Sequence, residues 1–555
     1  MKTLILIVNL SLAGIPTKYL MPSSSSVSDD ALPSNQILDI EVLNNDIYLS
    51  SGEGLGKSLS LESGYSFNPI VSNEMVQGGN PALAINGNII AVSGSIAVLE
   101  LGTMMPFGTG VSYSLDAGQT WSYMPQPIDE EDPDMWSCSN HDAVLYDNKE
   151  DCELNCQTCP NSQGESGSAS CGNLYDYISW GAQENITHLS VTTQINNLAY
   201  DIEIHDGFIY TANWAGGLRR FNYNLDSPNW EAVPLPTDNQ SELNCNNIDT
   251  NSYQLNPVGD CNSENFNHRP FSVRVIDDII WVGTAGGINK GTFNNDCIDW
   301  EHFQYYEKGF YDDWIIGFEN QELDNGSNRI WALTWDKDSE GETGPPSFSN
   351  DGGLNWSYAN QIAYLGATAY NISFSGNKIY LSTDQGLFVS EDSEFWEKFN
   401  YFIDYQTGEQ ILSETVYDAK VIDGDLWVAT NDGIAISSDS ENLEDWLVYR
   451  FWNNSNQFSA YPNPFFINSF NVIDNQGHMR FVSNSDNSQA VVDIFDFSMD
   501  KVITLSSPLI TSNQIEFIWN GQTEYGNNVQ NGIYFCRLSD NGEYSWVKVA
   551  VLSEP

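Results

Sequence analysis

Residues 416–435 read VYDAKVIDGDLWVATNDGIA. Apolar and polar residues alternate from Val416 to Ile422, as in a strand with one face in a core. Asp423-Gly424 turns the chain, Leu426–Thr430 returns it, and Gly433 leads a third strand after a small polar bend. The second half of the phrase recurs as IYLSSGEGLG from Ile47, IYTANWAGGL from Ile209, IWVGTAGGI from Ile280 and IYLSTDQGLF from Ile379, with looser forms at Ile89 (IIAVSG) and Ile330 (IWALTW). Seven copies at steps of roughly 40 to 50 residues, with room for about four strands each, have the period of a β-propeller blade. The sequence therefore predicts an all-β chain containing a seven-bladed β-propeller, with blades near 35–75, 80–127, 195–236, 269–305, 310–360, 365–404 and 414–452.

Each unit closes on an aromatic edge, as in WEAVPLP from Trp230, WEHFQYY from Trp300 and WEKFNYF from Trp396. Before that edge some units carry Ser-x-Asp-x-Gly-x-x-Trp: Ser114, Asp116, Gly118 and Trp121, then Ser349, Asp351, Gly353 and Trp356, with degenerate copies at Ser390, Asp392 and Trp396 and around Asp439 and Trp446. An Asp at a hairpin corner accepts bonds from the turn's own N–H groups, and a Trp plugs the edge beneath it. The pattern resembles the Asp-box of sialidase-type propellers, in which the box is a structural turn remote from the ligand face. Trp121 and Trp356 are expected to be buried under their turns.

The chain holds 20 Lys and Arg against 75 Asp and Glu, a formal net charge of −55. Nucleic acid and anionic membrane surfaces are excluded as partners, because both are bound through cations. The start, MKTLILIVNLSLAGIP, has a Lys followed by an apolar run of secretory length, so residues 1–22 read as a signal peptide, with a buried first strand as the alternative. Pro22–Asp30 then reads as a linker. No later stretch has the roughly 20 apolar residues of a membrane span.

From Tyr461 the pattern changes to short alternating runs that suggest a small β-sandwich over residues 459–555. Tyr461-Pro462-Asn463-Pro464-Phe465, Ile494-Phe495-Asp496, Trp519-Asn520-Gly521, Gly532-Ile533-Tyr534-Phe535 and Lys548-Val549-Ala550-Val551-Leu552 follow in order. Together they resemble the type IX secretion sorting domain, a relative of the Ig-like domain of the flagellar hook-cap protein. The resemblance implies an Ig-like fold, recognition by type IX-like export machinery, and a secreted or surface location on a Gram-negative bacterium. Phe497-Ser498-Met499-Asp500 departs from the family in lacking its usual Gly, and the chain runs three residues past the final strand. Asn453–Ala460 reads as a short polar linker, so the terminal domain is expected to fold on its own.

Nine cysteines accompany this export signal. Cys138, Cys152, Cys156, Cys159 and Cys171 share one insertion, Cys245 and Cys261 a second, and Cys297 and Cys536 stand alone. Disulfides are the reading for an exported chain, with Cys245–Cys261 the expected single bridge and Cys536 the free thiol. Cys152, Cys156 and Cys159 with His141 offer zinc ligands as the alternative.

The insertions, residues 128–195 and 237–268, join the second blade to the third and the third to the fourth. In an antiparallel blade such connections open on the face that carries the second-to-third-strand bends. Ligand binding is therefore expected there, at Glu53, Trp214, Trp335, Asp336, Asp384 and Asp432, with the insertions either forming the site or capping the channel. Aromatic rings and carboxylates suit glycan, or a divalent cation such as calcium held by oxygen ligands; the bland reading is solvated charge. Sialidase chemistry needs three arginines from separate blades, yet no Arg precedes Arg219; Arg219, Arg220, Arg269, Arg274 and Arg329 remain to meet across a channel. The sequence favours a non-catalytic binding protein for glycan, protein or envelope material, with no catalytic residue assigned. The alternative is an extracellular glycoside hydrolase or lyase that uses two carboxylates.

Overall fold

The computed structural model describes residues 32–552, apart from stretches within 131–185, 247–265, 337–343 and 441–457 and a few positions elsewhere. The segment read as a signal peptide, Cys156, Cys261 and His141 lie outside the described residues. Strand accounts for 55% of the described residues and helix for 5%, so side-chain alternation is the main organising signal. Seven successive segments each form a four-stranded antiparallel sheet in sequence order, beginning with Ile37–Leu43, Leu83–Asn86, Ala199–His205, Pro270–Ile276, Trp314–Glu322, Ala369–Ser375 and Val416–Ile422.

The recurring phrase is one local device. At its bend a Ser or Thr hydroxyl donates to the carbonyl of the Gly that leads the next strand: Ser51 to Gly54 (2.7 Å), Thr284 to Gly287 (3.1 Å), Thr383 to Gly386 (2.8 Å) and Thr430 to Gly433 (2.7 Å). Gly386 has φ +128°, and a Cβ there would lie 2.7 Å from the Phe399 carbonyl oxygen, so no other residue fits without a shift. The Ser-x-Asp corners are equally local. Asp351 accepts the Asn355 N–H (2.9 Å) and side-chain amide (2.8 Å), while Gly353 N–H donates to Ser349 Oγ (2.9 Å). Asp116 repeats the arrangement with Thr120, and Gly118 N–H donates to Ser114 Oγ (2.8 Å). Trp356 is buried as expected; Trp121 is only half-buried, beside a fourth strand just three residues long.

Each sheet buries both faces against its neighbours, which gives apolar clusters at the joints. Leu43, Tyr48 and Ile90 share one, Val111, Ile202 and Phe221 the next, and so on to Tyr380, Val416 and Leu426. The last sheet packs on the first through Ile40, Leu49, Phe67, Trp427 and Ile434, with Tyr65 edge-on to Trp427 at 4.5 Å. The seven sheets therefore form a closed, propeller-like ring. The ring is closed by side chains and not by a shared strand, since both end sheets carry four strands of their own.

Most described parts of the insertions lie on the ring's flank; the end of the second, at Phe266, packs instead against the apolar cluster that holds Leu38, Phe271 and Trp335. Trp136–Cys138, Cys171–Ile178 and Ile186–Leu189 from the first build one sheet with Gln254–Leu255 from the second. Trp180 and Ile186 join the core between the third and fourth units. Glu242–Leu243 adds a fifth strand to the edge of the fourth unit, and its register, Leu243 opposite Trp300, carries Cys245 to Cys297. Cys245 thus bridges to Cys297, not to Cys261, and Cys297 does not stand alone. The spacing of cysteines along the chain cannot reveal a strand added at a sheet edge. Cys152–Cys171 is a second bridge. Cys536 is free and buried, and burial pushes its thiol up to about 12.

The terminal domain is a sandwich of a four-stranded and a five-stranded sheet around one core containing Phe465, Ile494, Phe517, Trp519, Tyr534 and Val549. Its contact with the ring is more than a tether. Arg480 of the sandwich and Arg450 of the ring, with side chains 2% and 1% exposed, reach Glu516 (1%), Asp432 (0%) and Glu409 (10%) in one network. Arg450 donates to Glu516 at 2.9 Å, and Arg480 also donates to the Gln410 carbonyl at 2.7 Å. Around it, Tyr401 Oη donates to Asp474 (2.9 Å) and Asp474 N–H donates to Glu414 (2.9 Å).

Candidate functional site: the central channel

The innermost strands of all seven units line one cavity of about 880 Å³ on the ring axis. In six of them the register slips by one residue near the strand start, at Leu38, Tyr200, Phe271, Ile316, Tyr370 and Tyr417. A bulge adds one residue against the partner strand and re-aims its side chain. All six bulged residues are buried in one cluster with Trp331 and Trp335. Tyr200 meets Phe271 at 5.8 Å, and Tyr370 meets Tyr417 at 5.4 Å. This apolar layer closes the channel at the end nearest the second-to-third-strand bends.

Below the layer the same strands turn polar. Asp39, Asp201, Ser272, Asn371 and Asp418 form one level, and two residues on, Glu41, Glu203, Arg274, Ser373 and Lys420 form the next. Many of these groups span the joints. Asp201 and Glu203 accept the Val273 and Val275 N–H groups of the next unit (2.9 and 3.1 Å). Asp418 accepts the Ile40 N–H (3.0 Å), and Lys420 donates to the Ile40 carbonyl (2.6 Å) and to Glu41 (2.9 Å), closing the ring between its last and first units. Arg274 pairs with Glu319 and lies 3.9 Å from Glu203. Burial pushes the Glu203 carboxyl above its ordinary value, with the Arg274 charge opposing. The cavity continues past Glu322, Leu323, Gly326 and Gly376, so it opens at the first-to-second-strand turns.

The six residues expected to bind ligand lie toward the opposite, closed end, and none of them lines this cavity. Trp335 is buried in the apolar layer and donates its indole N–H to the Ala369 carbonyl (3.0 Å). Trp214 packs on the same layer, 4.8 Å from Phe271, with Arg269 stacked on it at 5.4 Å. Asp384 accepts the Thr368 N–H (2.7 Å), and Asp432 accepts the Leu412 N–H (2.8 Å) beneath Arg480. Glu53 and Asp336 are half-buried at their bends. Nor do the arginines gather. Arg219 makes a two-pronged pair with Asp129 (2.7 and 3.0 Å), Arg220 pairs with Glu231, and Arg329 donates to Asn350; of the five, only Arg274 lines the channel. Among the described residues no group of three or more His, Cys, Asp or Glu side chains could hold a metal ion. No described helix is long and apolar enough to cross a membrane.

No protein-family pattern and no characterised relative matches the sequence. Solved β-propeller structures do resemble the fold. PorZ, a surface component of the type IX secretion system of Porphyromonas gingivalis, aligns at 14% identity and TM-score 0.38 over 93% of this chain and 66% of its own, just under two thirds of its length. YCF48 from Cyanidioschyzon merolae aligns at 12% and 0.38 over 75% of this chain and 100% of its own. The WD40 propeller domain of Doa1 aligns at 9% and 0.36 over 74% and 96%. Likeness at this level says nothing of activity, ligand or partner.

Proposed function

We propose that the chain is an exported seven-bladed β-propeller with Asp-box corners that binds glycan, protein or envelope material without catalysis. In this reading its Ig-like terminal domain is a type IX-like sorting signal, which sends it to the surface or the medium of a Gram-negative bacterium. One observation carries the sorting half: each of the five motif segments supplies a strand or a strand end to one sandwich, and Phe465, Ile494, Trp519, Tyr534 and Val549 from those segments meet in its core. Disulfides at Cys152–Cys171 and Cys245–Cys297 suit an oxidising destination. The non-catalytic reading is supported by the use of the channel carboxylates as joints, since Asp201, Glu203 and Asp418 each accept a backbone N–H of the neighbouring unit.

Cell fractionation of the full chain and of a chain ending before Phe458 tests the sorting half. Only the full chain should leave the cell. Normal export of a truncated chain that still shows a cooperative thermal transition would end the sorting assignment. The glycoside hydrolase or lyase reading keeps one observation, the raised Glu203 carboxyl beside Arg274, which is the direction a general acid needs. Polysaccharide hydrolysis that disappears in Glu203→Gln would favour it over binding alone.

A further inference from the structure

The open half of the channel lies at the opposite end from the bends and insertions where a ligand was expected. Its wall carries Glu41, Glu203, Glu319 and Glu322 against two cations, Arg274 and Lys420, with Asp39 and Asp201 one level deeper. The carboxylates are spread along a shaft and do not converge, in keeping with the missing three-ligand metal group among the described residues. Asp39 and Glu41, like Asp201 and Glu203, are two residues apart on a strand, about 7 Å along the shaft. That spacing is comparable with ammonium groups joined by three or four methylenes. From Gly317 to Glu322 the wall extends roughly 17 Å.

We propose that the open end of the channel binds linear polyamines, whose ammonium groups pair in turn with carboxylates at successive levels of the shaft. The resident cations show the preference of this space. Burial alone would lower Lys420 and Arg274, yet both are held above their ordinary values by the carboxylates around them, Glu41 and Asp39 among those acting on each. The apolar layer ends the shaft, so a ligand enters from the first-to-second-strand turns only. The site extends the binding reading to a second face and rests on no part of the sorting assignment. Because it is tested on purified chain, the two can fail separately.

Spermidine titrated calorimetrically into the purified full-length chain should show one saturable site per chain above the diffuse binding expected of so acidic a surface. Glu319→Gln with Glu322→Gln should weaken that site about tenfold, the scale of one lost charge-assisted hydrogen bond. Glu394→Gln with Glu397→Gln, which removes the same charge from exposed positions on the sixth unit, should leave it unchanged. Each variant's thermal transition establishes that it is folded. A titration with no saturable site, or equal weakening by the two pairs, overturns the proposal.

Discussion

The two ends of the channel are built from the same seven strands and differ by a few residues of depth. At one end bulged Leu, Ile, Phe and Tyr side chains meet over the axis, and the terminal domain docks beside them through buried charge. At the other, half-buried Glu, Lys and Arg side chains face open space. In the closed end stability and shape are the same thing, since removing a side chain leaves a hole or a stranded charge. At the open end the carboxylates bond the rim backbone and still present charge to solvent, so changes there should alter binding more than folding.

The largest effects are expected at the closed end. Trp335→Ala should cost about 3–5 kcal/mol, by chemical denaturation of the full chain, because it empties the layer and orphans the Ala369 carbonyl. Arg480→Met should cost about 3–5 kcal/mol by stranding Asp432 in the domain contact and leaving Glu516 with Arg450 alone, and Asp432→Leu in the same chain should recover part of it. A cost below about 1 kcal/mol for either would mean that the closed end is no tighter than the open one. Replacing Cys297 with Ser should cost about 2–4 kcal/mol, by loss of the bridge that holds the second insertion to the ring.

Smaller changes belong to joints and rim. Asp418→Asn should cost about 1–3 kcal/mol, since the Ile40 N–H keeps an acceptor but loses its charge. The domain contact should weaken in acid. Burial alone would raise the Glu516 carboxyl, but Arg480 and Arg450 more than reverse this and hold it below its ordinary 4.5. Its contribution is thus complete above that value and fades as pH falls through the depressed one. Limited proteolysis of the terminal domain across that range should show the loosening. The smallest effect is at Asp351, held at about 2 first by the Asn355 side chain and then by its N–H. That corner should keep its bonds until pH falls through about 2, visible as the carboxyl's chemical-shift titration.

The ring units were legible because each is decided locally: a Ser or Thr bend, a Gly beyond it and a Trp edge all act within about a dozen residues. The channel was not, because its wall is assembled from strands as far apart as Asp39 and Lys420. Alternation does not reveal the bulges either: Tyr200, Tyr370 and Tyr417 are in phase with Ile202, Ile372 and Ala419 two residues on, and only the pairing with the second strand shows the extra residue. Asp432 was read as an open-face carboxylate because nothing near it in the chain announces Arg480. Cys245 was matched to its neighbour in sequence for the same reason.

Because side chains and not a shared strand complete the circle, the seam between last and first units differs from the other six in one respect: no peptide bond crosses it. Lys420 with Glu41, Asp418 with Ile40, and the Tyr65 hydroxyl with Asp425 (2.9 Å) stand in for that missing connection. The seam is thus the natural parting line of the circle, the place where thermal breathing would first let solvent into the axis. The terminal domain is clasped to Asp432 and Arg450, in the unit on one side of that line. Any pull on the chain's far end is delivered next to this seam, so the two-domain layout gives the ring a mechanical polarity that its repetition alone would not have.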